Sequence, residues 1–265
     1  MRIIFIGDIV GKPGRAALRH LLPGLVNEFR ADVVVANAEN AAGGFGLTRK
    51  TVDELFGLGI NVLTTGNHIW DKRDVLGFMD DTPLMIRPAN YAPGVPGRGL
   101  CRLSLPQDRV LWVINLQGRI LMPPVDCPFR KIDEILEEIP ASERCILVDM
   151  HAEATSEKRA LGFYLDGRVS VVVGTHTHVP TADAEILPKG TGYQTDAGMT
   201  GPYDSVIGMK VEDSLARILT GMPRILNVAK GGAAVAGAFA EIDDRTGLCS
   251  AFQSLFRKVE GLAEG

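Results

Sequence analysis

Six short runs of branched aliphatic residues constrain the fold of this chain more than any other feature: RIIFIG (2–7), DVVVAN (32–37), INVLTT (60–65), VLWVINL (110–116), CILVDMH (145–151) and VSVVVG (169–174). Each has the length of a strand and ends in a loop carrying polar residues. Helical patterns lie between several of them, at 13–29, 48–59, 127–139 and 155–165. Strand alternating with helix implies parallel pairing with helices packed outside. Pro13 suits the start of the first helix, and Pro23 is expected to kink or end it. Toward the end the pattern changes, because AAVAGAFAEID (233–243) and TGLCSAFQSLF (246–256) flank the turn DDRTG and read as an antiparallel hairpin. The expected fold class is therefore α/β, with two mixed β-sheets packed as a sandwich and flanked by helices. No repeat, low-complexity tract or clean linker divides the 265 residues, so a single domain over 1–265 is expected.

Composition removes several function classes. A formal net charge of -4 does not attract polyanions, which argues against a nonspecific duplex-binding surface. A chain of this charge that handles phosphates needs a local source of positive charge. The four cysteines, Cys101, Cys127, Cys145 and Cys249, form no CxxC pair, which argues against a zinc knuckle, a redox dithiol or a disulfide framework. They read as reduced, mostly buried thiols of a cytoplasmic protein. The apolar start MRIIFIGDIVGK is interrupted by Gly7 and Asp8, far short of a signal-peptide core or a membrane span, so no membrane partner is expected.

The polar residues at the ends of the aliphatic runs carry the functional information, since ligands of parallel-rich α/β proteins bind at the carboxyl ends of strands. Asp8 follows the first run, Glu39 and Asn40 the second, Asn67 and His68 the third; His151 ends the fifth, and His176 and His178 follow the sixth. Singly, each has an ordinary explanation: a helix cap for Asp8, a turn for either Asn, a buried hydrogen bond for His151. Jointly they do not, because four of the chain's five histidines occupy corresponding positions, and only His20 sits within a helical pattern, as a surface residue. Imidazole, carboxylate and amide oxygen form the ligand set of a borderline first-row metal such as Mn, Fe or Zn, and two ions fit the count better than one. In an extended segment residues i and i+2 share a face, so His176 and His178 are expected to reach one cavity. Glu39 is placed to bridge.

The order GD (7–8), NAEN (37–40), GNH (66–68), MH (150–151) and GTHTH (174–178) resembles the calcineurin-like metallophosphoesterase superfamily. Longer stretches, GDIVGKPGR, NAENAAGGFGLT, GNHIWD, DMHAEATSEK and YQTDAGMTGPYDSVIGM, look like its bacterial YmdB-like subfamily. The resemblance implies a four-layer αββα metallophosphoesterase fold and a site holding two transition-metal ions, iron or alternatively manganese. It implies phosphodiesterase activity on 2′,3′-cyclic nucleotides, with an RNA-related partner also associated with the subfamily. It assigns one ion to Asp8, Glu39, Asn40 and His178 and the other to Glu39, Asn67, His151 and His176. Two departures stand out: the superfamily's Asp-x-His is Asp8-Ile9-Val10 here, and its usual bridging Asp is Glu39. Asn40 can replace the missing imidazole or can orient the loop.

On this reading a metal pair turns water into hydroxide for attack on the diester, and His68 acts as general acid on the leaving oxygen, unless it only bonds a neighbouring carboxylate. Asp149 either orients a ligand or caps a helix, and Thr155 or Ser156 is expected to cap the helix that follows. The segment TDAGMTGPYDS (195–205) either shapes the pocket or is a loop. GDIVGKP is no phosphate-binding P-loop, since only three residues separate its glycines where that motif needs four, and Pro13 follows Lys12. An amidohydrolase barrel would place His-x-His after the first strand and show eight strand–helix repeats. The rival of another class is a metal-stabilised regulatory protein that binds RNA or a protein with little or no turnover. The sequence does not specify an oligomeric state.

Overall fold

The structure, a computed structural model, describes residues 1–260, so the last five residues of the expected 1–265 domain lie outside the described ones. The first sheet is built from β1 (Arg2–Ile6), β2 (Asp8–Ile9), β3 (Val33–Asn37), β4 (Val62–Thr64), β11 (Met199–Pro202), β12 (Ala233–Ile242) and β13 (Cys249–Lys258). Its order is β2-β11-β12-β1-β3-β4, with β13 also paired to β12. The second contains β5 (Leu100–Leu105), β6 (Arg109–Gln117), β7 (Ile146–His151), β8 (Val171–Thr175), β9 (Glu185–Ile186) and β10 (Gly192–Gln194), in the order β5-β6-β7-β8-β10-β9. Both are mixed: β1, β3 and β4 run parallel, as do β6, β7 and β8, while β12 is antiparallel to β1 and β13, and β5 to β6.

Strand alternation sorts the aliphatic runs between layers. Ile3, Phe5, Val33 and Val35 of the first sheet meet Leu111, Val113, Leu147, Val171 and Val173 of the second in one buried cluster between the sheets. Their neighbours Ile4, Ile6, Val34 and Ala36 pack outward against Leu18 and Leu22 of α1 (Gly11–Phe29) and Val52 and Leu55 of α2 (Arg49–Gly57). On the other side Ile114, Leu116, Val148 and Met150 meet Ile132 and Ile135 of α3 (Pro128–Glu138) and Leu161 and Leu165 of α4 (Thr155–Leu165). Helix, sheet, sheet and helix thus form the four expected layers, and each run reads as continuously apolar because both of its faces are covered. A fifth helix, α5 (Val211–Thr220), lies on an excursion between β11 and β12.

Three local expectations need correction. Pro23 does not end the first helix, which runs on to Phe29. Pro23 and Arg19, whose carbonyl loses its i+4 donor, are both exposed, so water can satisfy what the ring removes. Neither Thr155 nor Ser156 caps α4; its N-cap is Ala154, with no side-chain bond. The segment 195–205 is not a simple loop: residues 195–202 are all buried, and Met199 and Thr200 pair in parallel with Asp8 and Ile9.

Asp196 in that segment ties the second sheet's loops together. Its Oδ2 accepts from Thr177 N (3.1 Å), Thr177 Oγ1 (2.7 Å) and Lys158 Nζ of α4 (2.6 Å), and the two charged side chains are 0% and 1% exposed. Removing one partner of a buried ion pair strands the other charge. Lys158→Met is therefore expected to lower the unfolding free energy by about 3 kcal/mol; urea denaturation checks this, and a variant as stable as the parent would contradict it.

Candidate metal centre

The carboxyl edges of both sheets meet at one place, and all the residues singled out in the sequence lie there. The first sheet delivers Asp8 on β2, Glu39 and Asn40 just after β3, and Asn67 and His68 just after β4. The second delivers His151 as the last residue of β7 and His176 and His178 just after β8. Asp8, Glu39 and His151 are fully buried, and Asn40 and His178 nearly so.

His151 Nε2 is the most crowded atom. Asn67 Oδ1 lies 3.0 Å away, His176 Nδ1 3.1 Å and Glu39 Oε1 3.2 Å. One ring nitrogen carries at most one proton, so it can donate to only one of these, and other lone pairs are left facing each other. One ligand atom each from Glu39, His151 and His176 lies within 4.8 Å of the others. Beside this group His178 Nε2 is 3.1 Å from Asn40 Nδ2 and 3.9 Å from Asp8 Oδ1, and Asn40 Nδ2 donates to Glu39 Oε1 (3.2 Å). Asp8 Oδ1 and Asn40 Oδ1 are buried without any hydrogen-bond partner. Buried orphan oxygens are rare and costly, and two of them among converging imidazoles form the environment a cation satisfies. The donor set therefore fits metal ions.

Electrostatics agree with that fit. Burial raises Asp8 above the usual carboxylate range, against the lowering charges of His178 and His151. Burial would raise Glu39 too, but the adjoining His151, by charge and by hydrogen bond, takes it down to about 2. His151 in turn would be lowered by burial and is instead lifted to about 9, chiefly by Glu39 and then by Asp8. His176 is pushed down to about 3 by burial and by that neighbouring charge. Without a cation, a proton held on His151 is what balances the buried carboxylates.

Each imidazole is oriented from its outer nitrogen. Thr175 Oγ1 donates to Asp149 Oδ1 (2.7 Å), so it accepts from His151 Nδ1 (2.9 Å). Asp149 itself, which burial pushes up to about 6, also accepts from Thr64 and Asn37. Asp149 thus orients a site histidine through Thr175 and caps no helix. His178 Nδ1 donates to Ile207 O (2.8 Å), and His176 Nε2 lies 3.2 Å from Glu153 Oε2. Such partners fix the tautomer and turn the other nitrogen's lone pair inward.

The two later histidines do not arrive by the expected extended segment. β8 ends at Thr175, and His176 and His178 have φ of 98° and 66°, so strand alternation does not bring them together. They sit on a left-handed turn held by Asp196 through Thr177 and by Asp8 Oδ2, which accepts from His176 N (3.1 Å). Non-glycine residues there are strained, and such strain concentrates at functional sites. His68 differs from the rest: its backbone N donates to Glu39 Oε2 (3.1 Å), and its side chain turns away to Asp71, Nδ1 to Oδ2 2.8 Å, with 30% exposure. Among the described residues nothing hydrogen-bonds its Nε2. Asp71 lay unread in GNHIWD, and Glu153 and Thr175 in stretches equally short. The link from Asp196 to Thr177 joins segments that no local spacing connects.

The four-layer fold of two mixed sheets between helices is that of the metallophosphoesterases. The family model described as "YmdB-like protein" matches residues 4–255, and the chain belongs to that family. It is 49% identical over 246 residues to a 2′,3′-cyclic-nucleotide 2′-phosphodiesterase of Bacillus subtilis (strain 168), covering 93% of each chain. It is 37% identical to a putative phosphatase/phosphodiesterase of Mycoplasma pneumoniae, covering 93% of this chain and 89% of that one. Among solved structures, a hypothetical protein from Thermus thermophilus superposes with a TM-score of 0.91 at 46% identity, over 97% of this chain and 99% of that one. A phosphatase from Mycoplasma pneumoniae does so with a TM-score of 0.92 at 34% identity, over 97% and 93%.

Gly66 sets the spacing of the centre, because a Cβ there would overlap the His151 ring and Glu39 Oε2. Gly66→Ala is therefore expected to abolish metal uptake while leaving the far-UV circular dichroism unchanged. Plasma-emission analysis of the purified variant decides; parental metal content would contradict the geometry.

Proposed function

We propose that the protein is a metal-dependent phosphodiesterase that hydrolyses 2′,3′-cyclic nucleotides at a two-ion centre. The observation that carries the reading is the pair of orphaned buried oxygens, Asp8 Oδ1 and Asn40 Oδ1, beside inward-turned imidazole nitrogens. The identity to the Bacillus subtilis enzyme supports the substrate class. Asp8, Asn40 and His178 would hold one ion, Asn67, His151 and His176 the other, and Glu39 both. Bound there, such ions supply Lewis-acid charge for an anionic diester and lower the pKa of water to about 7. Iron or manganese suits this mixed nitrogen and oxygen set.

The chain's own groups supply the rest. Thr175, Ile207 and Glu153 keep the three imidazoles facing inward, so the centre is ordered before substrate arrives. Asp71 accepts from His68 Nδ1, which orients the ring so that, in its imidazolium form, Nε2–H would give its proton to the leaving ribose oxygen. Because the ring of His68 makes its hydrogen bond to Asp71 and not to a proposed ligand, its role is separable from theirs. We place this chemistry within a single domain over 1–265 whose two sheets jointly build the site.

His68→Ala is expected to reduce kcat by roughly 10²–10⁴-fold with metal content intact. Loss of metal in that variant would make His68 a ligand instead. Turnover of 2′,3′-cyclic nucleotides, 3′,5′-cyclic nucleotides, linear diesters and phosphomonoesters tests the substrate class, and the first is expected to be hydrolysed with the highest kcat/KM. Glu39→Gln is expected to lose both metal and turnover. A cellular effect that survived that substitution would favour the metal-stabilised binding protein over the enzyme.

A further inference from the structure

The loop after β3 carries an aromatic ring that the core does not use. Phe45 is partly exposed, and among the described residues it packs against none of the three apolar clusters that hold the layers together. Its ring partner is His68, with centroids 5.1 Å apart and an edge-on angle of 63°. The backbone holds it there. Gly43, Gly44 and Gly46 all have positive φ, and Ala42 N donates to Gly46 O (3.0 Å), which closes the loop around Phe45. A Cβ on Gly44 would meet Val228 and Met209, and one on Gly46 would meet Lys72 at 2.8 Å. Glycine on both sides of Phe45 thus seats the loop against the excursion after β11 on one flank and against the 68–72 turn on the other.

The neighbour indicates what such a ring can serve. On the functional reading above, on which this inference rests, His68 meets the leaving ribose oxygen. In a 2′,3′-cyclic nucleotide both ester oxygens belong to one ribose, so the base stays with the leaving oxygen and lies only a few bonds from it. Every base has a π-face, and stacking on an aromatic side chain holds it without regard to its identity. Two other aromatic rings near the 66–68 turn are committed elsewhere. Trp70 and Tyr91 pack on the outer core cluster and on each other, and Tyr91 Oη donates to Gln117 Oε1 (2.8 Å). Phe45 has no such commitment.

We propose that Phe45 is the platform on which the base of the nucleotide stacks, a specificity-determining residue that favours base-bearing cyclic diesters over base-free ones. The ring supplies binding that is alike in the ground and transition states, so its contribution falls on KM and leaves kcat to the metal centre and His68. It selects for the presence of a base and not for its identity, because a phenyl ring offers no hydrogen-bond donor or acceptor. A ring serving only to hold His68 in place would instead act on kcat for every substrate alike.

Steady-state kinetics on 2′,3′-cyclic AMP and on glycerol 1,2-cyclic phosphate, which has the cyclic diester and no base, separates these roles. In Phe45→Leu the ratio of kcat/KM for the nucleotide to that for the glycerol diester is expected to fall about tenfold, through KM and with parental metal content. Phe45→Tyr is expected to restore the ratio. Should the leucine variant fail to fold, Phe45→Trp gives a second readout: adenosine 3′-monophosphate is expected to quench the emission of the added indole, and glycerol phosphate to leave it unchanged. A parent that hydrolyses no cyclic nucleotide would overturn the functional reading and this inference with it. With an active parent, an unchanged ratio in Phe45→Leu, a kcat loss shared by both diesters, or no quenching in Phe45→Trp would overturn the platform alone.

Discussion

Buried carboxylates with too little positive charge around them govern the organisation of this molecule. Asp8 and Glu39 are 0% exposed where two sheets meet, and one oxygen of Asp8 has no hydrogen-bond donor. Isolated charges in such a place cost far more than a few hydrogen bonds return, so the surroundings must supply cations or protons. The chain's own answer is His151, raised to about 9 by the carboxylates it faces. Metal ions would take over that role and would also satisfy the orphaned amide oxygen of Asn40. The same feature would account for an acidic protein that handles phosphate: bound cations would supply positive charge locally, where the surface does not.

The remainder of the fold reads as support for that arrangement. Parallel strands set Asp8, Glu39, Asn67 and His151 at corresponding edges without special local geometry. The last two imidazoles require more. They sit on a left-handed turn, and what stabilises it is the buried Lys158–Asp196 pair together with the Thr177 hydrogen bonds to Asp196. Strain is thus localised at two histidines proposed as ligands and offset by the polar network behind them.

Much of this was legible in the sequence, and the reasons for the gaps are physical. The aliphatic runs specify strands and layers because burial on both faces leaves no other composition open to them. The seven proposed ligands were legible because strand ends are regular in α/β folds: Asp8, Glu39, Asn40, Asn67, His151, His176 and His178 all arrive together. The path of His176 and His178 was not, since strand periodicity carries no information past Thr175. Pro23 misled because its exposure, which makes it tolerable within α1, is a property of packing. The short strands β2 and β11 and the helix α5 lack the aliphatic density that marks the other elements, and the role of Asp196 depends on residues remote in sequence.

Anomalous diffraction from crystals loaded with manganese or iron tests the central claim most directly. Two peaks sharing Glu39 are predicted, one ringed by Asp8, Asn40 and His178 and the other by Asn67, His151 and His176. A single peak would contradict the pairing, and density for metal only outside this group would contradict the account as a whole.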